Sequence, residues 1–423
     1  MTVAPTRRSA NHWPDLDVVP SGPRAALSGR VARRLFSAAV NRLDVTVELA
    51  ATSTRPATTL GCGGPVMVVN RPDDFFARIG RHALIGFGES YLTREWDAED
   101  VGGFLTVLAA EVQHLVPRPL QKLRSLVVKR PPHEEKSSLK NSQDNIAHHY
   151  DLSNDLFELF LDPTVSYSSA LFEAELPHPI RAQLEPAQGR KIERLLDQAG
   201  VTQGTRVLEI GSGWGELAIR AAQRGAHVTT ITLSTEQKAL AEERIAAAGC
   251  TALVSVELCD YRNVRGSYDA VVSVEMVEAV GWQYWDTYFQ TIDRVLAPGG
   301  RVAIQAITMP HDRMLATRNT YTWINKYIFP GGFLPSVQAI DEITRAHTSL
   351  RVCDNLPMGA SYAETLRLWD ETFLADPERV LSLGFDETFL RMWHFYLEYS
   401  RAGFASGYID VNQLTFERPT DPR

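Results

Sequence analysis

Residues 206–249, RVLEIGSGWGELAIRAAQRGAHVTTITLSTEQKALAEERIAAAG, carry the reading on which the fold turns. RVLEIG (206–211) is a short apolar run of strand length, and GWGELAIRAAQRG (213–225) has helical spacing and ends at Gly225. HVTTITL (227–233) reads as a second strand, after which Ser234 opens another helix. Further strands are expected at VSVELCD (254–260), YDAVVSVEM (268–276) and RVAIQAIT (301–308), the last preceded by the turn Pro298-Gly299-Gly300. Strands alternating with helices define an α/β domain built on a doubly wound, mostly parallel sheet.

Upstream, residues 77–112 mix glycine turns with helical periodicity at Phe104, Leu105, Leu108 and Val112, as in a smaller accessory domain. PPHEEKSSLKNSQDN (131–145) reads as a linker, so the expected division is an accessory domain over 1–135 and the α/β domain over 136–423. The 423 residues, 44% apolar and 22% charged, can bury one large core or two ordinary ones, which excludes a disulfide-stapled scaffold and a mostly disordered chain.

A net charge of −8 argues against wholesale nucleic-acid binding, but basic residues are concentrated locally. Residues 1–45 contain Arg7, Arg8, Arg24, Arg30, Arg33, Arg34 and Arg42, and 118–140 contain Arg118, Lys122, Arg124, Lys129, Arg130, Lys136 and Lys140. Such stretches are either a solvated face or a docking surface for anionic lipid. Cys62, Cys250, Cys259 and Cys353 form no C-x-x-C pair, so no metal site is expected and a reducing cytoplasm is the simplest setting. MTVAPTRRSANHWPDLD lacks the apolar run of a secretory signal, and no stretch approaches the roughly 20 apolar residues of a spanning helix. Membrane contact is therefore expected to be peripheral.

Glu209-Ile210-Gly211-Ser212-Gly213-Trp214-Gly215 places a glycine-rich turn at the carboxyl end of the first strand, where ligands bind in this architecture. Glu216 occupies the position of the third glycine of a dinucleotide fingerprint, and E-x-G-x-G-x-G is instead the pattern of nucleoside-dependent methyltransferases. At the end of the second strand, Ser234 and Gln237 have capping-box spacing, while Thr232 and Gln237 are also placed to face a ligand's ribose and amino-acid portion.

Six further blocks make a resemblance specific: HYDLSNDLFELFLDPTVSYSSALF (149–172), the glycine turn, SVEMVEAVG (273–281), YIFPGGFLPS (327–336), SYAETLRLW (361–369) and GYIDVNQLTF (407–416). In this order they resemble the cyclopropane-fatty-acyl-phospholipid synthase family, and IGFGESYLTREWD (85–97) resembles the accessory domain of its longer members. The chain looks most similar to the actinobacterial branch that methylates oleoyl chains on the way to 10-methylstearic (tuberculostearic) acid. The resemblance implies a Rossmann-like class I S-adenosylmethionine methyltransferase fold and transfer of the cofactor's methyl to a cis double bond of a phospholipid acyl chain. Carried over by motif, the cofactor-binding positions are Tyr167, Ser168, Gly211, Gly213, Thr232, Leu233, Gln237, Tyr261 and Val274.

An isolated alkene is a weak nucleophile, so the site must position it, exclude water and shelter a carbocation, a task suited to aromatic faces. Trp282, Trp285, Tyr288, Tyr321, Trp323, Tyr327, Phe329 and Phe333 are available, although aromatic clusters also build ordinary cores. The family implies a bound bicarbonate as the base, which here matches Glu278, Tyr362 and the main chain of Ile307. Two positions depart: Ser169 and Gln305 stand where the family commonly has cysteine and histidine. Gln305 cannot titrate as histidine does, which leaves Glu278 as the obvious acid-base group.

Ring closure after methyl transfer would give a cyclopropane, whereas a hydride shift followed by proton loss would give an exocyclic methylene. The changes at 169 and 305 favour 10-methylene formation, with a separate reductase for saturation. The alternatives are a cyclopropane synthase, a non-catalytic lipid- and cofactor-binding protein, and a methyltransferase for a small soluble acceptor. Residues 308–350 are expected to cover the acyl chain and the helices over 361–405 to pack on the sheet. The resemblance further implies peripheral association with phospholipid at the inner face of the cell membrane and a homodimer, which no residue fixes.

Overall fold

In the computed structural model, residues 13–115 and 153–419 are described, apart from 175 and 177. The basic stretch over 118–140, Arg7 and Arg8, and the linker over 131–145 with its boundary lie outside the described residues. The chain divides into two compact units, one over 1–129 with 369–406 and the other over 130–368 with 407–423.

The second unit holds a seven-stranded sheet of β5 (Arg206–Ile210), β6 (His227–Thr232), β7 (Val254–Leu258), β8 (Tyr268–Val274), β9 (Leu296–Thr308), β10 (Arg351–Pro357) and β11 (Asp410–Glu417). Its order is β10-β11-β9-β8-β5-β6-β7, parallel through β7, β6, β5, β8 and β9. β11 enters antiparallel between β9 and β10. The inner parallel strands overlie the expected apolar runs, because strands covered on both faces read as continuous apolar segments; β7 is a half-exposed edge strand, and β9 begins five residues early at Leu296, taking in Pro298-Gly299-Gly300 where its register with β8 shifts. β10 and β11 carry polar residues such as Asp354, Asn412 and Gln413 and were not expected as strands. Leu208, Ile210, Val271, Val302, Ile304, Leu414 and Phe416 join Trp285, Tyr288 and Phe289 in one core. Ile192, Leu196, Val207, Ala218, Val228 and Val272 form a second core cluster.

The first unit contains a small sheet, β1 (Thr46–Leu49), β2 (Thr58–Gly61), β3 (Val66–Val69) and β4 (Trp96–Ala98), in the order β2-β1-β3-β4. The helices Pro23–Val40, Pro72–Leu92 and Val101–Leu115 belong to it. So does the helix Glu387–Ala405, which differs from the expectation that the helices over 361–405 pack on the large sheet. The reason is aromatic: Phe395 stacks on Tyr91 at 5.2 Å and meets Trp96 edge-on at 6.2 Å. Arg391 lies 3.9 Å above the Tyr91 ring and pairs with Asp97 at 3.0 Å.

A buried ion pair locks this unit. Arg78 Nε donates to Glu95 Oε1 at 2.7 Å with side-chain exposures of 2% and 0%, and an Arg78 Nη2 bond to the Leu16 carbonyl, 2.6 Å, uses a further donor. Removing one partner strands the other charge in a dry interior. Glu95→Ala is therefore expected to lower the stability of this unit by about 3–5 kcal/mol, read as a shifted urea midpoint.

Candidate active site

Strand β5 ends in a turn whose backbone only glycine enters without strain: φ is +96° at Gly211, +48° at Gly213 and +91° at Gly215. The amides of Gly211 and Ser212 both donate to the Ile231 carbonyl at 3.0 Å, tying the turn to β6. A Cβ on Gly211 would come within 2.6 Å of Met276 Cγ, whereas one on Gly213 would meet nothing within 4 Å. The turn is thus closely packed on one side and open on the other, at the carboxyl end of a central strand.

At the end of β6, Thr232 Oγ1 donates to Gln237 Oε1 at 2.8 Å, and Ser234 Oγ accepts the Gln237 amide at 3.1 Å. Only half of the expected capping box forms, because the Gln237 side chain turns to Thr232. Leu233 lies between these residues, and Val274 packs against the second core cluster. Tyr261 is buried against Tyr288 at 5.3 Å, and its hydroxyl is driven up to about 12 by desolvation. Tyr167 lies edge-on to Phe157 at 5.0 Å, and Phe157 lies 5.0 Å from Trp214. Ser168 Oγ accepts from Lys191 Nζ at 2.7 Å. Burial holds this lysine, 2% exposed, down at about 8, with Glu275 opposing the effect. The glycine turn's open side, together with a Glu209 carboxylate that is buried with one oxygen lacking a hydrogen-bond partner among the described residues, fits a nucleoside cofactor bearing polar groups.

The acid-base residues converge on a position that the sequence reading had not singled out. Glu275 Oε1 accepts from the Ser169 amide at 2.9 Å and from Gln305 Nε2 at 2.8 Å, and Glu275 Oε2 accepts from the Tyr362 hydroxyl at 2.8 Å. Its backbone is left-handed, φ +51°, for a residue that pays about 1–2 kcal/mol to be there. The Glu275 amide donates to the Gln305 carbonyl at 2.8 Å, which holds that conformation just beyond β8. Part of the residue reaches the surface, yet enough protein surrounds the carboxylate for desolvation to raise its pKa over the lowering effect of its three donors.

Glu278 follows one turn later. Its Oε1 accepts the Ile307 amide, and its Oε2 is buried with no hydrogen-bond partner among the described residues. Burial, then the neighbouring Glu275 charge, push it up to about 8. Glu275 is thus a second carboxylate beside Glu278, the group that the sequence singles out. Ser169 contributes its main-chain amide, since its hydroxyl donates to the Ala170 carbonyl at 2.9 Å.

The expected bicarbonate does not fit this arrangement: Ser169, Gln305 and Tyr362 spend their donors on Glu275, and Ile307 spends its amide on Glu278. Of the aromatics, Tyr288 is fully buried with its hydroxyl on Ser273 Oγ at 2.8 Å and serves the core. Trp285 stacks on Phe333 at 5.8 Å, and the Phe333 amide donates to the Glu278 carbonyl at 2.8 Å, which brings both rings to the carboxylate segment. Glu275 and Lys191 escaped the sequence reading; two acids three residues apart directly after a strand were the available signal.

A parallel α/β sheet with a glycine turn at its switch point and polar side chains around it defines an S-adenosylmethionine-dependent methyltransferase of the Rossmann-like class I fold. A family profile described as mycolic acid cyclopropane synthetase matches residues 137–414, and the chain belongs to that family. It is 53% identical over 416 residues to the tuberculostearic acid methyltransferase UfaA1 of Mycobacterium tuberculosis, covering 98% of this chain and 97% of that one. It is 34% identical to the cyclopropane-fatty-acyl-phospholipid synthase of Escherichia coli K12, covering 86% and 91%. Among solved structures, the mycolic acid cyclopropane synthase CmaA1 complexed with SAH and CTAB superposes with a TM-score of 0.59 at 30% identity, covering 68% of this chain and 98% of that one. Coclaurine N-methyltransferase, at 17% identity and a TM-score of 0.53, shares the fold.

The two glycines separate folding from binding. Gly211→Ala is expected to lower the melting temperature, because both its φ and Met276 resist a Cβ. Gly213→Ala, which meets no neighbouring atom and is strained only by its φ of +48°, is expected to lower the melting temperature less than Gly211→Ala and to weaken S-adenosylhomocysteine binding in calorimetry, since its methyl enters the open side of the turn.

Proposed function

We propose that this methyltransferase, which acts on unsaturated lipid acyl chains, converts an oleoyl phospholipid chain to its 10-methylene derivative, with Glu275 as the proton acceptor. The observation that carries this reading is the Glu275 carboxylate, held by Ser169, Gln305 and Tyr362, the residues expected to hold an external base. The Gly211–Gly215 turn, Tyr167, Ser168, Thr232, Leu233, Gln237, Tyr261 and Val274 would hold the cofactor, which would supply an electrophilic methyl on sulfonium. The alkene pair forms the new C–C bond as the C–S bond breaks, and a hydride then moves from the methyl-bearing carbon to its neighbour. Glu275 takes a proton from the transferred methyl, and that C–H pair becomes the exocyclic double bond. Three fixed donors keep Glu275 from attacking the cation.

A 10-methylene chain requires a separate reductase to become 10-methylstearate, and the described residues present one nucleotide-type sheet. The helices His311–Thr317 and Trp323–Tyr327, which follow β9, would cover the acyl chain. Their loop is tied to the site by Asn325 Nδ2 donating to the Gly332 carbonyl at 2.8 Å and by the Phe333 amide on Glu278.

Contact with phospholipid would be peripheral: no helix among the described residues is long and apolar enough to cross a membrane. The helix Pro23–Val40 turns Ala25, Gly29 and Ala32 inward and exposes Leu27, Val31 and Leu35 beside Arg24, Arg30 and Arg34, without one acidic residue. An apolar stripe flanked by guanidinium groups suits an anionic headgroup layer, where each charge contributes about 1 kcal/mol. Leu27→Glu combined with Val31→Glu is expected to reduce binding to phosphatidylglycerol vesicles, and wild-type binding should weaken as salt rises.

Glu275→Gln should cut turnover at least about 100-fold while S-adenosylhomocysteine binding persists. Wild-type rates should be the same in carbonate-free buffer, and the product should show vinylidene protons in NMR. Only the deprotonated carboxylate is a base, so kcat should fall as pH drops through a value above the roughly 4.3 of an ordinary glutamate. High-field ring protons would instead identify a cyclopropane product.

A further inference from the structure

Gln305 carries a symmetric-looking amide, and only one of its two orientations serves Glu275. With Nε2 forward it donates to Glu275 Oε1 at 2.8 Å and to the Ser169 carbonyl at 3.3 Å. Turned over, it would set Oε1 against those same two acceptors, a repulsive contact at a buried position. Gln305 is 0% exposed, so water cannot arbitrate.

Its far end meets Gln413, the residue directly opposite it in the β9/β11 pairing. Gln413 Nε2 donates to Gln305 Oε1 at 3.1 Å and to the Lys191 carbonyl at 3.1 Å. Gln413 has the same ambiguity, and it is removed by Arg194, whose Nη1 donates to Gln413 Oε1 at 2.9 Å. A guanidinium has donors only, so it accepts just one orientation of the amide it faces. Arg194 is in turn held by Asp354 on β10.

We propose that Arg194 and Gln413 are positioning residues that fix the polarity of an amide chain, so that Gln305 always presents N–H to Glu275. The run reads guanidinium N–H to Gln413 carbonyl, Gln413 N–H to Gln305 carbonyl, Gln305 N–H to carboxylate. Every link points the same way, each bond polarises the next, and a positive charge stands at its head. The anionic form of Glu275 is favoured without a cation touching it. The proposal rests on Glu275 being the base.

The test uses the full-length enzyme with dioleoyl phosphatidylglycerol vesicles, comparing wild type, Gln413→Leu, Gln413→Glu, Arg194→Lys and Glu275→Gln for kcat, KM and pH profile. Gln413→Leu removes the guide and should cost roughly tenfold in kcat with KM for the cofactor unchanged. Gln413→Glu keeps an acceptor for Arg194 but can no longer donate to Gln305, which must then turn its N–H toward position 413 and its oxygen toward Glu275. It should therefore be slower than Gln413→Leu, with the acid limb of its kcat profile moved to higher pH. The charged or titratable groups facing Glu275 from neighbouring elements are Lys191, Glu278 and Tyr362, and none of them is altered in this series. Arg194→Lys, still a donor-only cation, should retain more activity and a more nearly wild-type profile than Gln413→Leu.

If Gln413→Glu equals or exceeds Gln413→Leu in kcat and keeps the wild-type acid limb, the polarity role is wrong and Gln413 is packing alone. If Glu275→Gln itself turns over normally, the fault lies with the base assignment instead. Far-ultraviolet circular dichroism and melting temperature identify any variant that fails to fold, and Arg194→Lys then carries the comparison through its pH profile.

Discussion

A carboxylate kept dry, yet held by donors, is the constraint from which the rest of the catalytic unit follows. Burial raises the pKa of Glu275 and drives Glu278 to about 8, so the loop after β8 holds two carboxyl groups whose charged forms lack the water that would otherwise stabilise them. Three neutral donors on one carboxylate and one amide on the other offset that cost. A nearby cation would bind Glu275 more strongly but would also repel a carbocation, which makes neutral donors the better choice for this chemistry. Lys191, the nearest buried amine, has its ammonium turned to Ser168.

The sheet supplies these donors from places far apart in the chain. Gln305 comes from β9, Ser169 from the segment before the helix Leu184–Gln198, and Tyr362 from the helix Gly359–Ala375. The antiparallel strand β11, inserted between β9 and β10, brings Gln413 opposite Gln305 and closes the polar face behind the site. The same sheet sets the glycine turn of β5 and the Glu275 loop of β8 side by side, at the carboxyl ends of adjacent strands.

The other unit is held together by a different set of contacts. Its interior is aromatic, with Trp96 beside Phe87, Tyr91 and Phe104, and one buried ion pair at Arg78 and Glu95. Its helix Pro23–Val40 packs through small residues: a Cβ on Gly29 would lie 3.3 Å from the Phe76 carbonyl oxygen, and one on Gly80 would lie 2.6 Å from Ser28. Leu27, Val31 and Leu35 are left on its outer face, while Phe36 turns in against Phe75 and Phe76.

By itself the sequence determined the parallel sheet, the glycine turn and the family, because apolar runs and a turn needing positive φ are local properties of the chain. It also named Ser169, Gln305, Tyr362, Glu278 and Ile307 as one group, and the fold gathers them around the Glu275 and Glu278 carboxylates. What these residues hold was decided only by tertiary structure: a left-handed backbone at Glu275 swings that carboxylate among donors separated by up to 193 positions, between Ser169 and Tyr362. The strands β10 and β11 and the place of the helix Glu387–Ala405 were likewise illegible, since polar strands show no clean period and the apolar face of a helix does not say which partner it covers. Local pattern reports which faces avoid water, whereas the direction of a hydrogen-bonded chain such as Arg194, Gln413 and Gln305 exists only once distant strands are paired.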